Sequence, residues 1–211
     1  MSMENRPKPQ RRSIRLPSYD YSSEGAYFVT ICTKNRDCLF GEIRNGTVES
    51  SRVGQIVRNC WLEIPKHFGN VQVDEFVIMP NHMHGIIVLE KQVECIQPLQ
   101  NNNVGVQYIE PSPGIDLALK KYQRVTPKSI GSIIRSFKAA ITRWYRENSL
   151  EGQIWPRNYY EHIIRNESSL NKIRQYIIDN PLNWQLDIEV PSSLSIANAR
   201  RKEENFWVGL R

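Results

Sequence analysis

A chain of 211 residues with 28 Lys and Arg against 22 Asp and Glu carries a net charge of +6, and 40% of it is hydrophobic. No apolar stretch is long enough to span a bilayer, and the basic start at Met1 to Arg15 lacks the apolar core of a secretory signal. Cys32, Cys38, Cys60 and Cys95 lie far apart with no CxxC pair, so a cytoplasmic protein with reduced thiols is expected rather than a disulfide framework or zinc ribbon. The positive excess favours a polyanionic partner.

In chain order, the first predicted element is a strand at Tyr27-Phe28-Val29-Thr30-Ile31-Cys32-Thr33, rich in β-branched and aromatic residues. From Arg52 to Phe68, Val53, Ile56, Val57, Cys60, Trp61 and Ile64 recur at helical spacing, and Gly69-Asn70 ends that helix. Strands over Val71 to Met79 and His84 to Leu89 are joined tightly at Pro80-Asn81. A polar stretch of about 90–128 reads as a loop insertion. Ser129 then opens a helix with Ile130, Ile133, Ile134, Phe137, Ile141 and Trp144 on one stripe and Arg135, Lys138, Arg143 and Arg146 on the other face. A strand is predicted over Ile154 to Arg165. A third helix with the stripe Leu170, Ile173, Ile177 follows, stopped by Asn180-Pro181. This order predicts an α+β fold with a ferredoxin-like or RRM-like antiparallel sheet and one extra C-terminal helix. The expected organisation is a basic arm over 1–18, a single domain over 19–184 and a tail over 185–211.

Chemistry concentrates in two places. His82 and His84 flank Met83, and in an extended strand residues two apart share a face, so both imidazoles converge as a divalent-metal site would require. Tyr176 and Asn180 are four apart on the last helix and stack one turn from each other. A tyrosine hydroxyl is a poor nucleophile at neutral pH, with an ordinary pKa of about 10. It attacks phosphorus when a metal polarises the phosphate. Asn180 would supply a third protein ligand or orient a metal-bound water. Two imidazoles and an amide oxygen suit Mg2+ or Mn2+ better than zinc, because no thiolate or third histidine lies at ligand spacing. Tyr159 and Tyr160 are rival tyrosines, but beside Trp155 they read as packing residues.

The segments Arg12-Ser13-Ile14-Arg15-Leu16, Tyr27 to Thr33 and Met79-Pro80-Asn81-His82-Met83-His84 resemble the single-tyrosine HUH transposases. Ile133-Ile134-Arg135-Ser136-Phe137-Lys138, Trp155-Pro156-Arg157-Asn158-Tyr159-Tyr160-Glu161-His162 and Tyr176-Ile177-Ile178-Asp179-Asn180-Pro181 resemble the REP-associated tyrosine transposase branch, over roughly residues 11 to 184. The resemblance implies metal-dependent cleavage and rejoining of single-stranded DNA beside an imperfect hairpin, through a 5′-phosphotyrosine and a free 3′-hydroxyl. It implies His82 and His84 as metal ligands and Tyr176 as the nucleophile. Asn180 stands where classical insertion-sequence enzymes have glutamine, and is one methylene shorter, so it would reach the metal directly or through water.

DNA contacts are expected regionally, from Arg11, Arg12 and Arg15 of the arm and from Arg135, Lys138 and Arg143 of the Ser129 helix. The expected partner is hairpin-forming single-stranded DNA, with no membrane, bound by a monomer or homodimer acting in the cytoplasm at the nucleoid. The competing readings are an RRM-like nucleic-acid-binding module without catalysis, in which the histidine pair has no use, and a HUH replication or relaxase-type nuclease.

Overall fold

Strand β1, Gly25–Cys32, lies inside a four-stranded sheet and is buried on both faces, which explains its unbroken run of apolar and β-branched residues. The computed structural model of the protein describes residues 15–16, 18–91 and 128–184. Arg11 and Arg12, most of the insertion (92–127) and the tail (185–211) lie outside the described residues.

After β1 and a short 3-10 turn come strands β2, Gly41–Arg44, and β3, Thr47–Ser50, then helices α1, Arg52–Leu62, and α2, Ile64–His67. Strands β4, Val71–Ile78, and β5, His82–Leu89, precede helix α3, Ile130–Glu147, strand β6, Tyr160–Ile164, and helix α4, Glu167–Asp179. The main sheet has the order β4-β5-β1-β6, with every adjacent pair antiparallel. This is the expected α+β, ferredoxin-like sheet with an additional C-terminal helix. Among the described residues, no helix is long and apolar enough to cross a membrane.

The helices start where a side-chain oxygen can satisfy an orphan backbone N–H. Ser51 accepts from the Gly54 amide, Ser129 from that of Ser132 and Asn166 from that of Ser169. Several boundaries and one element depart from the sequence reading, and β5 starts at His82 rather than at the expected His84. The helix expected over Arg52 to Phe68 breaks at Glu63, because Pro65 has no N–H to continue the ladder and sits instead in the first turn of α2. The strand expected from Ile154 begins only at Tyr160: Ile154 and Trp155 are buried in irregular backbone, and Pro156 cannot donate to a ladder. The β2–β3 hairpin was not anticipated. Its turn residues Asn45 and Gly46 both have positive φ (52° and 72°), as a type I′ turn demands.

Alternation along the central strands divides the interior into two layers. Tyr27, Val29, Ile31, Met83 and Ile87 face α1 and α3 and pack with Trp61, Ile133, Ile134 and Phe137. On the other face, Phe28, Ile86 and Ile164 meet Ile173 and Ile177 of α4. Both isoleucines are fully buried, each contributing about 1.5–3 kcal/mol of docking.

Gly85 connects the two layers. A Cβ at this position would lie 2.4 Å from Cζ2 of Trp61, so the indole rests directly on the strand beside His84. Gly85→Ala is expected to destabilise the protein by about 1–3 kcal/mol through overpacking. In urea unfolding this would appear as a lower midpoint at an unchanged m-value.

Candidate active site

His82 and His84 open β5 and project toward α4, where they are 0% and 2% exposed. Their Nε2 atoms are 3.1 Å apart. Each ring is held from behind through Nδ1. Asn81 turns its Nδ2 to donate to the Arg36 carbonyl at 3.2 Å, leaving its Oδ1 to accept from His82 Nδ1–H at 2.8 Å. Thr30, directly opposite His84 in the β1–β5 register, brings Oγ1 to 2.9 Å from His84 Nδ1. When Nδ1 of each ring donates to these oxygens, both Nε2 lone pairs face one point. Two nitrogens bound at about 2.1 Å and at right angles around one ion lie about 3.0 Å apart. The observed spacing therefore fits a bidentate metal site.

Tyr176 reaches the same point from the other layer. Its hydroxyl is 3.3 Å from His84 Nε2, and its ring lies 5.2 Å from the His84 ring. Phe28 stacks on His84 at 5.3 Å and meets the Tyr176 ring edge-on, so one aromatic residue of β1 orients both. Asn180, the C-cap of α4, is 3% exposed, and its Oδ1 has no hydrogen-bond partner among the described residues. A buried acceptor left unpaired costs about 1–3 kcal/mol, and a cation or a metal-bound water would satisfy it. Among the described residues no group of three His, Cys, Asp or Glu side chains converges, so a third protein donor at this site would have to be of another type, such as this amide. Tyr176 and Asn180 line a cleft of about 380 Å³ with Lys172, Gln175, Asp179 and Asn183. Trp184 stacks on the His82 ring at 6.0 Å.

Tyr176 is held in place by the docking of α4. Arg174 donates from Nε to Asp74 Oδ1 at 3.0 Å and from Nη2 to Oδ2 at 2.6 Å, a bidentate ion pair between α4 and β4. The Arg174 guanidinium holds the Asp74 carboxyl below the usual carboxylate range, and Asp74 in turn raises Arg174.

The structure thus brings His82, His84 and Tyr176 together, with Asn180 beside Tyr176. The supporting roles of Thr30, Asn81, Phe28 and Trp184 at this site are not part of the sequence reading. Asn81 sits next to His82 and could have been suspected, whereas Thr30 becomes visible only once the strand register is known. Of the residues expected to contact DNA, the described ones, Arg15, Arg135, Lys138 and Arg143, are placed elsewhere. Arg135 and Arg143 are exposed on α3, in the layer opposite the histidines. Arg15 is joined to Glu161 on β6 at 2.6 Å, with Tyr159 also bound at 2.6 Å. Lys138 donates to the Pro156 carbonyl at 3.0 Å and lies over the Trp155 ring.

The fold is similar to that in a structure of the REP-associated tyrosine transposase bound to a REP hairpin. The likeness has a TM-score of 0.50 at 17% identity and covers 81% of this chain and 74% of that one. The chain is also 48% identical over 179 residues to an uncharacterized protein of Haemophilus influenzae (strain ATCC 51907 / DSM 11121 / KW20 / Rd), covering 84% of this chain and 91% of that protein. It belongs to the same family as that Haemophilus protein. No protein-family model matches it.

Burial brings Lys138 down from 10.5 to about 8, against a smaller opposing effect of Cys32. Between these values the folded chain has released a proton that the unfolded chain still holds, so stability rises with pH across that window. The protein is expected to gain stability relative to Lys138→Met on going from pH 8 to pH 10, read as the difference between their urea midpoints at the two pH values.

Proposed function

We propose that this protein is a metal-dependent endonuclease and strand transferase of single-stranded DNA, transposase-like, that cleaves beside DNA hairpins through a 5′-phosphotyrosine intermediate. The observation carrying this reading is the approach of the Tyr176 hydroxyl to within 3.3 Å of His84 Nε2, itself 3.1 Å from His82 Nε2. A nucleophile and a chelating pair at such distances, delivered from two layers of the fold, have no structural purpose that apolar residues would not serve better. The shared fold with a transposase solved on a REP hairpin supports the choice of substrate.

His82 and His84 would hold Mg2+ or Mn2+, with Asn180 Oδ1 as a third donor directly or through water. When bound, the ion supplies Lewis-acid polarisation of the scissile phosphate and stabilises its developing charge. Tyr176 Oη attacks phosphorus, the phosphorus–O3′ bond breaks, the phenolic proton passes to solvent and the departing 3′ oxygen takes one up. Phosphotyrosine conserves the energy of the phosphodiester, so a 3′-hydroxyl rejoins the strand by the reverse reaction without a nucleotide cofactor. With His82 Nδ1–H donating to Asn81 Oδ1 and His84 Nδ1–H donating to Thr30 Oγ1, both Nε2 atoms would be available to hold the ion. Phe28 fixes the ring planes of His84 and Tyr176. The protein would act in the cytoplasm, at the nucleoid, as a monomer or homodimer.

Incubation with labelled hairpin-bearing single-stranded DNA and Mn2+ tests this directly. A covalent protein–DNA adduct is expected, absent in Tyr176→Phe and abolished by EDTA. An adduct that survives in Tyr176→Phe would overturn the nucleophile, and no cleavage on any hairpin would overturn the reaction. Thr30→Val is expected to weaken Mn2+ binding roughly 10–100-fold, measured by the electron paramagnetic resonance signal of free Mn2+ during titration.

A further inference from the structure

The residues of α4 divide around the helix in a telling way. At about 100° per residue, Ile173 and Ile177 form a narrow stripe resting on Phe28, Ile86 and Ile164. Arg174 leaves the helix about 80° to one side of that stripe and Tyr176 about 80° to the other. An apolar stripe fixes depth well but rotation poorly, because hydrophobic contact is non-directional. Tyr176 lies at the rim of a cylinder with a radius of roughly 5–6 Å. A roll of about 20° would therefore move its ring by on the order of 2 Å, far outside the tolerance of about 0.5 Å that a reacting group allows.

The Asp74–Arg174 pair is placed to prevent that roll. It is bidentate, with contacts of 3.0 and 2.6 Å, and therefore fixes direction as well as distance. Asn171 Oδ1, at 2.9 Å, and Glu167 Oε1, at 3.4 Å, hold the guanidinium from α4's own surface. On the sheet side, β4 shifts register between Val73 and Phe76. Val73 pairs with Ile87 and Phe76 with Gly85, so Asp74 and Glu75 together oppose Ile86. This bulge lets Val73 and Phe76 pack in the Trp61 layer while Asp74 reaches the α4 layer. The Glu75 amide binds Asp74 Oδ1 at 2.6 Å, which steadies the carboxylate.

We propose that the Asp74–Arg174 ion pair sets the roll of α4 and thereby positions Tyr176 against the histidine pair. Asp74 and Arg174 are positioning residues: neither touches the reacting atoms, and both act through the helix that carries the nucleophile. This inference rests on the function proposed above for Tyr176.

The full chain is assayed as Asp74→Asn, as Arg174→Gln and with the pair reversed, Asp74→Arg with Arg174→Asp. Assays run on hairpin DNA with Mn2+ well below each variant's unfolding temperature. Misplacement of a reacting group by about 1 Å costs on the order of 100-fold. Adduct formation at saturating DNA should therefore fall about 10- to 100-fold in the single variants. Affinity for DNA should stay within about twofold of the parent, and that for Mn2+ should fall far less than the rate, since His82 and His84 on the sheet are untouched and only Asn180 moves with α4. The reversed pair should recover part of the lost rate. Single variants that react at the parent rate, or that lose DNA and Mn2+ binding in step with the rate, would overturn the proposal. If Arg174→Gln fails to fold, the near-isosteric Asp74→Asn decides. Should the parent itself form no adduct, the proposed function fails, and the clamp is judged without DNA or metal. Nuclear Overhauser contacts between the Tyr176 and His84 rings should weaken in Asp74→Asn, and their persistence at full strength would dismiss it.

Discussion

The antiparallel pairing of β1 with β5 is the interaction on which the rest of the molecule depends. Its register sets Thr30 opposite His84, Phe28 opposite Ile86 and Cys32 opposite His82. A slip of one residue would turn both histidines into the α1–α3 layer and bring Met83 and Gly85 to face the tyrosine helix. The register is protected by the difference between the two layers. Gly85 is required where Trp61 presses on the strand, and the histidines on the opposite face have polar partners that Met83 could not use. Packing on one face thus determines the chemistry available on the other.

The polar groups of the site are costly where they sit. His82, His84 and Asn180 are nearly completely buried, and Asn180 Oδ1 has no partner among the described residues. Burying such groups costs free energy unless each finds its hydrogen bonds. The two Nδ1 atoms have theirs, while the two Nε2 atoms face each other and the Tyr176 hydroxyl. An apolar trio in these positions would give a more stable domain. The sequence instead gathers three buried polar side chains around one point, as expected of a site whose stabilisation is completed by what it binds.

Much of this was legible in the chain because it follows two simple periods. The twofold repeat of a strand put His82 and His84 on one face, and the 3.6-residue repeat of a helix put Tyr176 near Asn180. The ferredoxin-like class of the sheet followed from the alternation of elements. Other features needed information that periodicity does not carry. The Asn45-Gly46 turn was a local signal for the β2–β3 hairpin, but strands as short as Gly41–Arg44 and Thr47–Ser50 show too little alternation to stand out. The strand expected from Ile154 starts only at Tyr160 because apolar residues can fill a core without extended pairing, as Ile154 and Trp155 do from irregular backbone. Arg15 reads as one more base of a cationic arm, yet it is bound to Glu161 across a separation of 146 residues. Asp74 and Arg174 meet across 100 residues, and no local pattern marks them as partners. Acidic residues inside the apolar strand Val71–Ile78 were the one visible anomaly.

Helix α4 has 13 residues and reaches the sheet with only two fully buried side chains, Ile173 and Ile177. An isolated helix of that length is marginal in water, because its nucleation is costly and few hydrogen bonds repay it. The Asn166 cap and the first-turn Glu167 help, each by about 1 kcal/mol or less, but most of its helicity must come from docking. Formation of the helix and delivery of the tyrosine are consequently one equilibrium: whatever loosens α4 from β4 and β5 also withdraws Tyr176 from His84. The histidines belong to the most deeply buried strand pair and have no such dependence. The site therefore joins a rigid half and a conditional half, and the strength of their contact, rather than the geometry of either alone, determines how often the complete site exists.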